Sequence, residues 1–272
     1  MHKIPSLDKL KLDMVETRHK DGLNVALLQL KGDEESDTTR LRRIENLLAE
    51  QASGADLIVF PELWRFGYSN FSLYKIKSEA ITGETATFLA KQARKLSAFL
   101  VGGSIIERQD DSYFNTSLLF DRHGDLIGRY RKSHLLSYHS QERDLLSCGS
   151  ALATFSTPIA RLGIAVCYDL RFPELFSKMT TAGAEVFVVP AAWPITRMEA
   201  WTALCHARAV ENQAYVIACG GTGGRLLGRS MVVDPWGVTV ASLGTEEGVL
   251  RAKLDLGRLR GFRGEFPAWC EH

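Results

Sequence analysis

Residues 163–175 have the sequence GIAVCYDLRFPEL, which predicts a strand, a short turn and the start of a helix around Cys167. An apolar strand runs into Cys167, a short polar turn follows, and Pro173 suits the first turn of a helix. A turn of this kind presents its side chain sharply, as the nucleophile elbow of hydrolases does. Cys167 is therefore either a nucleophile or a buried structural cysteine. For a nucleophile, we expect a nearby cation and the helix N-terminus to lower the pKa of the thiol.

Outside this stretch, apolar runs of strand length alternate with helical patterns and hairpins. Asp37 is the predicted N-cap of a helix that stops at Gly54, and residues 133–150 form a predicted polar loop. The whole pattern indicates an α/β fold with mixed β-sheets flanked by helices. The other predicted helices are 85–97, 173–183 and 197–213, and the predicted strands are 23–30, 56–60, 99–106, 113–120, 126–131, 154–157, 160–167, 185–190, 215–219, 230–234, 238–242 and 249–254.

The beginning of the chain differs from the rest. Residues 1–22 mix Lys, Asp, Glu and His and lack the apolar segment of a targeting signal. We interpret them as an N-terminal extension, either loosely ordered or packed on the outside. No linker or change of composition divides residues 23–272, which we expect to form one domain.

Composition excludes several classes of protein. The 272 residues include 33 Lys and Arg against 32 Asp and Glu, a formal net charge of +1 that leaves no electrostatic footprint for nucleic acid. No apolar run approaches the ~20 residues that cross a bilayer. The five cysteines are odd in number and irregularly spaced, which argues against a disulfide framework and for a reducing compartment. We therefore predict a cytoplasmic protein with neither a nucleic-acid nor a membrane partner.

Two charged residues are candidates for catalysis together with a cysteine. Glu62 directly follows a buried strand, at the edge where α/β folds place their sites, so it is a candidate general base. Lys132 ends a hairpin strand, where it is a candidate for stabilising an oxyanion by its charge. Each also has an ordinary interpretation, a solvated loop glutamate and a lysine at a strand end, and neither segment decides the matter alone.

The remaining cysteines and the glycine-rich segments indicate no further chemistry. Cys205 lies within a predicted helix and Cys219 ends an apolar run, so both are predicted core residues. Cys148 lies in the polar loop and Cys270 near the C-terminus. No cysteine or histidine pair has metal-ligand spacing, and residues 220–224 (GGTGG) lack the Gly-Lys-Ser/Thr of a phosphate loop. We predict no metal site.

Taken together, five segments resemble the nitrilase superfamily of carbon–nitrogen hydrolases. Each segment is weak evidence alone, but their combination and order are specific. The resemblance extends from about Leu23 to the C-terminus, so residues 23–272 are the predicted carbon–nitrogen hydrolase domain. The segments are 60–62 (FPE), 130–135 (YRKSHL), 167–175 (CYDLRFPEL), 207–213 (ARAVENQ) and 230–237 (SMVVDPWG).

The resemblance implies a four-layer α-β-β-α sandwich, usually assembled as a homodimer or a higher homo-oligomer, and no cofactor. It implies that Glu62 is the general base, Lys132 the transition-state stabiliser and Cys167 the nucleophile. Members often carry a second glutamate after the lysine, for which Glu142 is the match and Glu174 an alternative. The backbone N–H of Tyr168 is the further oxyanion donor that this arrangement implies.

Within the superfamily, the segment around Cys167 looks most like the ω-amidase and deaminated-glutathione-amidase branches, which hydrolyse amides of small carboxylic acids. We therefore expect a small-molecule amide substrate such as 2-oxoglutaramate or succinamate. Arg171 is a candidate for pairing with a substrate carboxylate, and its alternative is a salt bridge to Glu174 or Asp169. Trp193 is expected either to wall the pocket or to pack as an ordinary aromatic.

The sequence departs from the family pattern in two features, and several alternative functions are considered. The 22-residue extension lies outside the family core, and Arg229 stands where related amidases commonly have His. The alternatives within the superfamily are a deaminated-glutathione amidase, a carbamoyl-amide hydrolase, an aliphatic amidase and a nitrilase. An alternative of another class is a non-catalytic scaffold on the same fold, although a scaffold needs no set of Glu62, Lys132 and Cys167.

Overall fold

The computed structural model describes residues 21–32 and 36–270, and the first 20 residues of the predicted extension lie outside them. Within that part the strands alternate with helices in the predicted manner. The helices are α1 (Asp37–Gln51), α2 (Glu84–Leu96), α3 (Glu142–Leu145), α4 (Pro173–Thr181), α5 (Met198–Asn212) and α6 (Leu256–Glu265). The strands are β1 (Gly22–Gln29), β2 (Leu57–Val59), β3 (Phe99–Val101), β4 (Ile105–Gln109), β5 (Ser112–Phe120), β6 (Leu126–Arg131), β7 (Thr154–Ser156), β8 (Arg161–Ile164), β9 (Val186–Ala191), β10 (Tyr215–Gly220), β11 (Thr222–Gly223), β12 (Leu226–Leu227), β13 (Met231–Val233), β14 (Thr239–Ser242) and β15 (Gly248–Asp255).

The described strands form two mixed sheets and a small hairpin. The first sheet has the order β15-β1-β2-β3-β5-β4, with β6 paired to β5. Its central strands β1, β2 and β3 are parallel, and β5 runs antiparallel to β3, β4 and β6. The second sheet has the order β14-β13-β10-β9-β8-β7, and its central strands β8, β9 and β10 are parallel. Strands β11 and β12 form a separate two-stranded hairpin.

The pleat of the first sheet explains how the layers stack. Successive side chains of a strand point to opposite faces, so β1 divides its apolar residues between two cores. Ala26 and Leu28 pack with residues of α1 and α2, whereas Val25 and Leu27 belong to the core shared with the second sheet, α4 and α5. Cys219 of β10 connects the sheets directly, with its sulfur 3.3 Å from the backbone oxygen of Leu28. The predicted four-layer α-β-β-α sandwich is confirmed.

The boundaries of α1 differ from the prediction. Ser36, not Asp37, is the N-cap, and its hydroxyl accepts a hydrogen bond from the backbone N–H of Thr39 at 3.2 Å. Asp37 instead forms an ion pair with Arg65 at 2.5 Å. The two residues are far apart in sequence, so no local pattern predicts this contact. The helix ends at Gln51, three residues before Gly54.

The single strand predicted at 99–106 is interrupted. It forms β3 and β4, separated by residues 102–104. Gly103 has a φ of +67°, and a Cβ there would lie 1.9 Å from the backbone oxygen of Pro61. The glycine therefore permits the close approach of the segment that carries Glu62.

Two other differences concern helices. The predicted polar loop 133–150 contains the short helix α3. The helix α6 was not predicted, because its three glycines and weak apolar pattern indicate no helix. Asp255 caps it by accepting a hydrogen bond from the N–H of Arg258 at 2.8 Å. No helix of the described part is long and apolar enough to cross a membrane.

Candidate active site

Cys167 lies at a strained turn between the second sheet and α4. The chain leaves β8, passes Cys167 at a φ of +48°, continues in a 3-10 turn (Cys167–Arg171) and enters α4 at Pro173. A positive φ is unfavourable for a residue with a Cβ, so the surroundings must hold it. The strand, turn and helix predicted around Cys167 are present.

The buried carboxylate of Asp169 holds this turn. It accepts hydrogen bonds from the N–H of Val166 at 2.9 Å, the hydroxyl of Tyr130 at 2.9 Å and the N–H of His134 at 3.0 Å. These donors belong to two different segments of the chain, so Asp169 ties the elbow to the end of β6. Such multiple support is what allows a strained backbone to persist at a functional site.

Glu62 reaches the same place from the first sheet. It follows β2 by three residues and is 2% exposed. Its Oε1 accepts hydrogen bonds from Lys132 Nζ at 2.8 Å and from Asn115 Nδ2 at 2.8 Å. Its Oε2 accepts one from the backbone N–H of Ala192 at 2.9 Å. The carboxylate therefore has a fixed orientation and is not the solvated loop residue of the alternative interpretation.

Lys132 is buried between two carboxylates. Its Nζ lies 2.8 Å from Glu62 Oε1, and 2.9 and 3.0 Å from the two oxygens of Glu142. Burial by itself lowers the pKa of Lys132, but attraction to Glu62 and Glu142 outweighs it and raises the pKa well above its usual value. Lys132 is thus a permanent cation in a cluster with two carboxylates, whose formal net charge is −1.

The pKa of the Cys167 thiol differs from the prediction. Burial and the charge of Glu62 raise the pKa of Cys167 well above its usual value, although Lys132 acts in the opposite direction. The expected lowering by a cation and a helix N-terminus was wrong, because the thiol is largely buried beside a carboxylate. Glu62 is the carboxylate that raises the pKa of this thiol, so the arrangement suits proton transfer to Glu62 during attack, without a stable resting thiolate.

Glu142 is the glutamate that the fold brings to this cluster. It begins α3, is 0% exposed, and accepts a further hydrogen bond from the N–H of Leu136 at 2.9 Å. Glu174, the alternative, is exposed on α4 and has no contact with Lys132. The structure therefore selects Glu142 by position.

Two neighbours of the cluster were missed by the sequence analysis. Asn115 of β5 donates to both Glu62 and Glu142, at 2.8 Å each. The ring of Tyr68 lies over Lys132, whose Nζ is 5.7 Å from the ring centre. A polar residue within the buried end of β5 was the available signal for Asn115, whereas no local pattern distinguishes Tyr68.

A cavity of about 790 Å³ opens above Cys167 and Lys132. Trp193 is 2% exposed, lines this cavity and donates from Nε1 to the backbone oxygen of Arg197 at 2.8 Å, so it is both a wall and a packed aromatic. Tyr168 also lines the cavity, and its N–H lies at the start of the 3-10 turn, where backbone donors lack helical partners.

Arg171 points to the cavity without an acidic partner. Its guanidinium carbon lies 5.2 Å from the centre of the Trp193 ring, and it forms no ion pair with any described residue. The alternative salt bridge to Glu174 or Asp169 was therefore wrong. Arg197 and Arg225 line the same cavity, and each likewise lacks an ion pair in the described part of the chain. The entrance is consequently positive, whereas the floor carries the net negative cluster.

Comparisons with known proteins identify the family of this chain. A family model described as carbon-nitrogen hydrolase matches residues 24–264, which is most of the chain. This chain belongs to the carbon-nitrogen hydrolase family.

Curated relatives of this hydrolase are amidases by name. A 2-oxoglutaramate amidase of Bacillus subtilis (strain 168) is 36% identical over 234 residues, which cover 84% of this chain and 89% of the relative. An omega-amidase NIT2 of Homo sapiens is 33% identical over 259 residues, which cover 90% and 93%. Saccharomyces cerevisiae Nit3, described as a member of branch 10 of the nitrilase superfamily, has a similar structure, with a TM-score of 0.83 at 34% identity, over 92% of this chain and 96% of Nit3.

The predicted family, fold class and enzyme class are thereby confirmed: this hydrolase cleaves carbon–nitrogen bonds of the amide type. Among its other cysteines, Cys205 and Cys219 are buried in the core as predicted, and Cys148 and Cys270 are exposed. Within residues 21–32 and 36–270, no group of three or more His, Cys, Asp or Glu side chains could hold a metal ion.

Proposed function

We propose that this hydrolase cleaves the terminal amide of a small dicarboxylic acid monoamide, such as 2-oxoglutaramate or succinamate, and releases ammonia. One observation carries the proposal: Cys167, Glu62 and Lys132 meet beneath a cavity whose entrance holds arginines without acidic partners. Relatives named 2-oxoglutaramate amidase and omega-amidase support the same substrate class.

Acylation begins with transfer of the Cys167 proton to the neighbouring carboxylate of Glu62. As sulfur attacks the amide carbon, the thiol proton passes to the carboxylate of Glu62. The C–O double bond becomes a single bond, and its oxygen acquires a negative charge. Lys132 and the N–H of Tyr168 hold this oxyanion, and Glu142 keeps Lys132 in place after Glu62 has become neutral.

Glu62 completes acylation and then serves deacylation. Protonated Glu62 gives its proton to the leaving nitrogen, the C–N bond breaks, and ammonia departs from a thioester on Cys167. Water then enters, Glu62 removes its proton, and the hydroxide displaces the sulfur, which regains a proton from Glu62. The chain thereby returns to its starting state with the free acid as product.

Recognition of the substrate carboxylate is assigned to Arg171. Its guanidinium rests on Trp193 and can offer two parallel N–H donors to a carboxylate. Replacement by Met is expected to lower kcat/KM for a carboxylated amide by about 10- to 100-fold, the loss of a charge-assisted hydrogen bond. A neutral aliphatic amide should be affected little. Equal losses on both substrates would contradict this role.

The oligomeric state and the cellular location of the protein are also proposed. We propose a homodimer or higher homo-oligomer in the cytoplasm. Val210 of α5 and Val240 of β14 are exposed, and His206 is hydrogen-bonded to Thr239 at 3.0 Å, so helix and strand present one partly apolar surface. Light scattering should find a dimer that Val210→Asp weakens, and a monomeric wild type would contradict this part.

The function is tested by ammonia release from a panel of ω-amides, neutral amides, carbamoyl compounds and nitriles. We expect the highest kcat/KM on an ω-amide and no turnover by Cys167→Ala. Preference for a carbamoyl compound or a nitrile would place the protein in another branch, and undiminished turnover by Cys167→Ala would overturn the mechanism. The amidase names of the relatives do not favour a non-catalytic scaffold.

A further inference from the structure

Asn115 occupies an unusual position between two buried carboxylates. Its side chain is 0% exposed, and its Nδ2 lies 2.8 Å from Glu62 Oε1 and 2.8 Å from Glu142 Oε1. An amide nitrogen carries two hydrogens, so each carboxylate receives one of them. A neutral group thus bridges two like charges without changing the net charge of the cluster.

The other end of the same amide shows that this orientation is imposed. Asn115 Oδ1 is buried and has no hydrogen-bond partner among the described residues. An unpaired buried carbonyl is costly and calls for a compensating interaction. Turning the amide over would place Oδ1 against both carboxylate oxygens, where all the partners are acceptors. The two donated hydrogen bonds therefore decide the orientation.

These hydrogen bonds determine which oxygen of Glu62 serves the thiol. Oε1 is held by Asn115 and by Lys132, at 2.8 Å each. Oε2 accepts from the backbone N–H of Ala192 at 2.9 Å, and Ala192 lines the same cavity as Cys167. Oε2 therefore lies on the side of the cavity that holds Cys167, with Oε1 engaged by Asn115 and Lys132.

We propose that Asn115 is a positioning residue that clamps Glu62 with Oε2 toward Cys167 and clamps Glu142 against Lys132. It touches neither the sulfur nor the substrate and acts through the two carboxylates. Among the described residues, the ionisable groups around the cluster are Glu62, Lys132, Glu142, Cys167 and the phenols of Tyr68 and Tyr74. The catalytic meaning of the clamp rests on the proposed function, but its effect on the thiol does not.

The test measures alkylation of Cys167 by iodoacetamide as a function of pH, which needs no substrate. Asn115→Ala removes both donors, and Asn115→Asp removes them while keeping the shape of the side chain. The matched control is Ser117→Ala, two residues along β5, where a buried hydroxyl without a partner is lost. The modified residue is identified by peptide mass spectrometry, and folding is monitored by circular dichroism.

Near neutral pH, we expect both Asn115 variants to be alkylated about tenfold or more slowly than wild type, the loss of hydrogen bonds to charged groups. The rates should converge at alkaline pH, where hydroxide removes the thiol proton without help from Glu62. Ser117→Ala should follow the wild-type profile. The convergence distinguishes positioning from general damage, which slows the reaction at every pH.

Three outcomes would overturn the assignment: an unchanged rate near neutral pH, an equal loss at every pH, or unfolding of both Asn115 variants while Ser117→Ala folds. Failure of the proposed function gives a different result. If wild-type protein hydrolyses none of the ω-amides while the alkylation profiles separate as expected, the substrate assignment fails and the role of Asn115 stands.

Discussion

Strands β5 and β6 carry two charged clusters on their opposite faces. On the inner face, Asn115 and Lys132 contact the carboxylates of Glu62 and Glu142. On the outer face, the neighbouring Thr116 and Arg131 contact Glu107, which Arg129 also reaches at 3.1 Å. Adjacent residues of a strand point in opposite directions, so a shift of one residue separates the two sets.

The two clusters have opposite charge balances. The outer one has two arginines for one carboxylate, and its arginines reach solvent, with Arg129 44% exposed. Burial raises the pKa of Glu107, but hydrogen bonds from Arg131 and Thr116 outweigh it and hold the pKa below its usual value. The inner cluster has one cation for two carboxylates, and all three side chains are buried. Because carboxylates outnumber cations in the inner cluster, one carboxylate can accept a proton. The outer cluster has no such excess carboxylate.

The largest expected effect comes from removing the single cation of the inner cluster. Lys132→Met is expected to lower kcat/KM on the order of 1,000-fold, since an oxyanion donor is lost. It should also lower the free energy of unfolding by about 3–5 kcal/mol, because two buried carboxylates lose their partner. The neighbouring Arg131→Met should change kcat/KM by less than about threefold. Steady-state kinetics and denaturant unfolding of both variants check this contrast.

A comparable loss of activity in Arg131→Met would remove the distinction between the faces. So would retention of most activity in Lys132→Met, since the account assigns the developing negative charge to this lysine.

The next effect concerns the second carboxylate. Glu142→Gln changes the net charge of the inner cluster from −1 to zero and leaves Glu62 as the single carboxylate partner of Lys132. Uptake of a proton by Glu62 then competes with that ion pair, so kcat should fall about 100-fold, as for a misplaced catalytic group. Glu107→Gln is the matched variant of the outer face and should leave kcat near that of wild type. Equal kcat values for the two variants would contradict the assignment of Glu142.

The smallest effect is a pH dependence of stability at the outer cluster. The folded state holds the pKa of Glu107 below its usual value of 4.5, so its contribution to stability is present above that pH and is lost as the pH falls. The stability difference between wild type and Glu107→Gln should therefore be largest near neutral pH and shrink below about pH 4.5. Urea unfolding at several pH values measures it, and a constant difference would contradict the ion-pair explanation.

Local sequence was sufficient for the elements that carry the site. The elbow at Cys167 follows from an apolar strand, a polar turn and a proline, and the position of Glu62 follows from the end of β2, whereas its role came from the family resemblance. Apolar periodicity predicted the strands and most helices, but not α6 with its three glycines, and the four layers came from the resemblance. Glu142 was found through the family resemblance, since a glutamate in a polar loop carries no local signal.

Properties of the assembled cluster could not be predicted from sequence. The contacts of Asn115 depend on the register of β5 with β6, in which Thr116 pairs with Arg131. The direction of the pKa shift of Cys167 depends on burial and on the opposed charges of Glu62 and Lys132, which no segment shows alone. A cation near a cysteine predicts a lowered pKa only when no carboxylate lies equally close.

The most direct test of the central claim is mass spectrometry of the protein quenched during turnover of succinamate. We expect an adduct on Cys167 with the mass of the substrate less ammonia, formed before free acid appears and absent in Cys167→Ala. Turnover with no adduct at Cys167, or with the adduct on another residue, would contradict it.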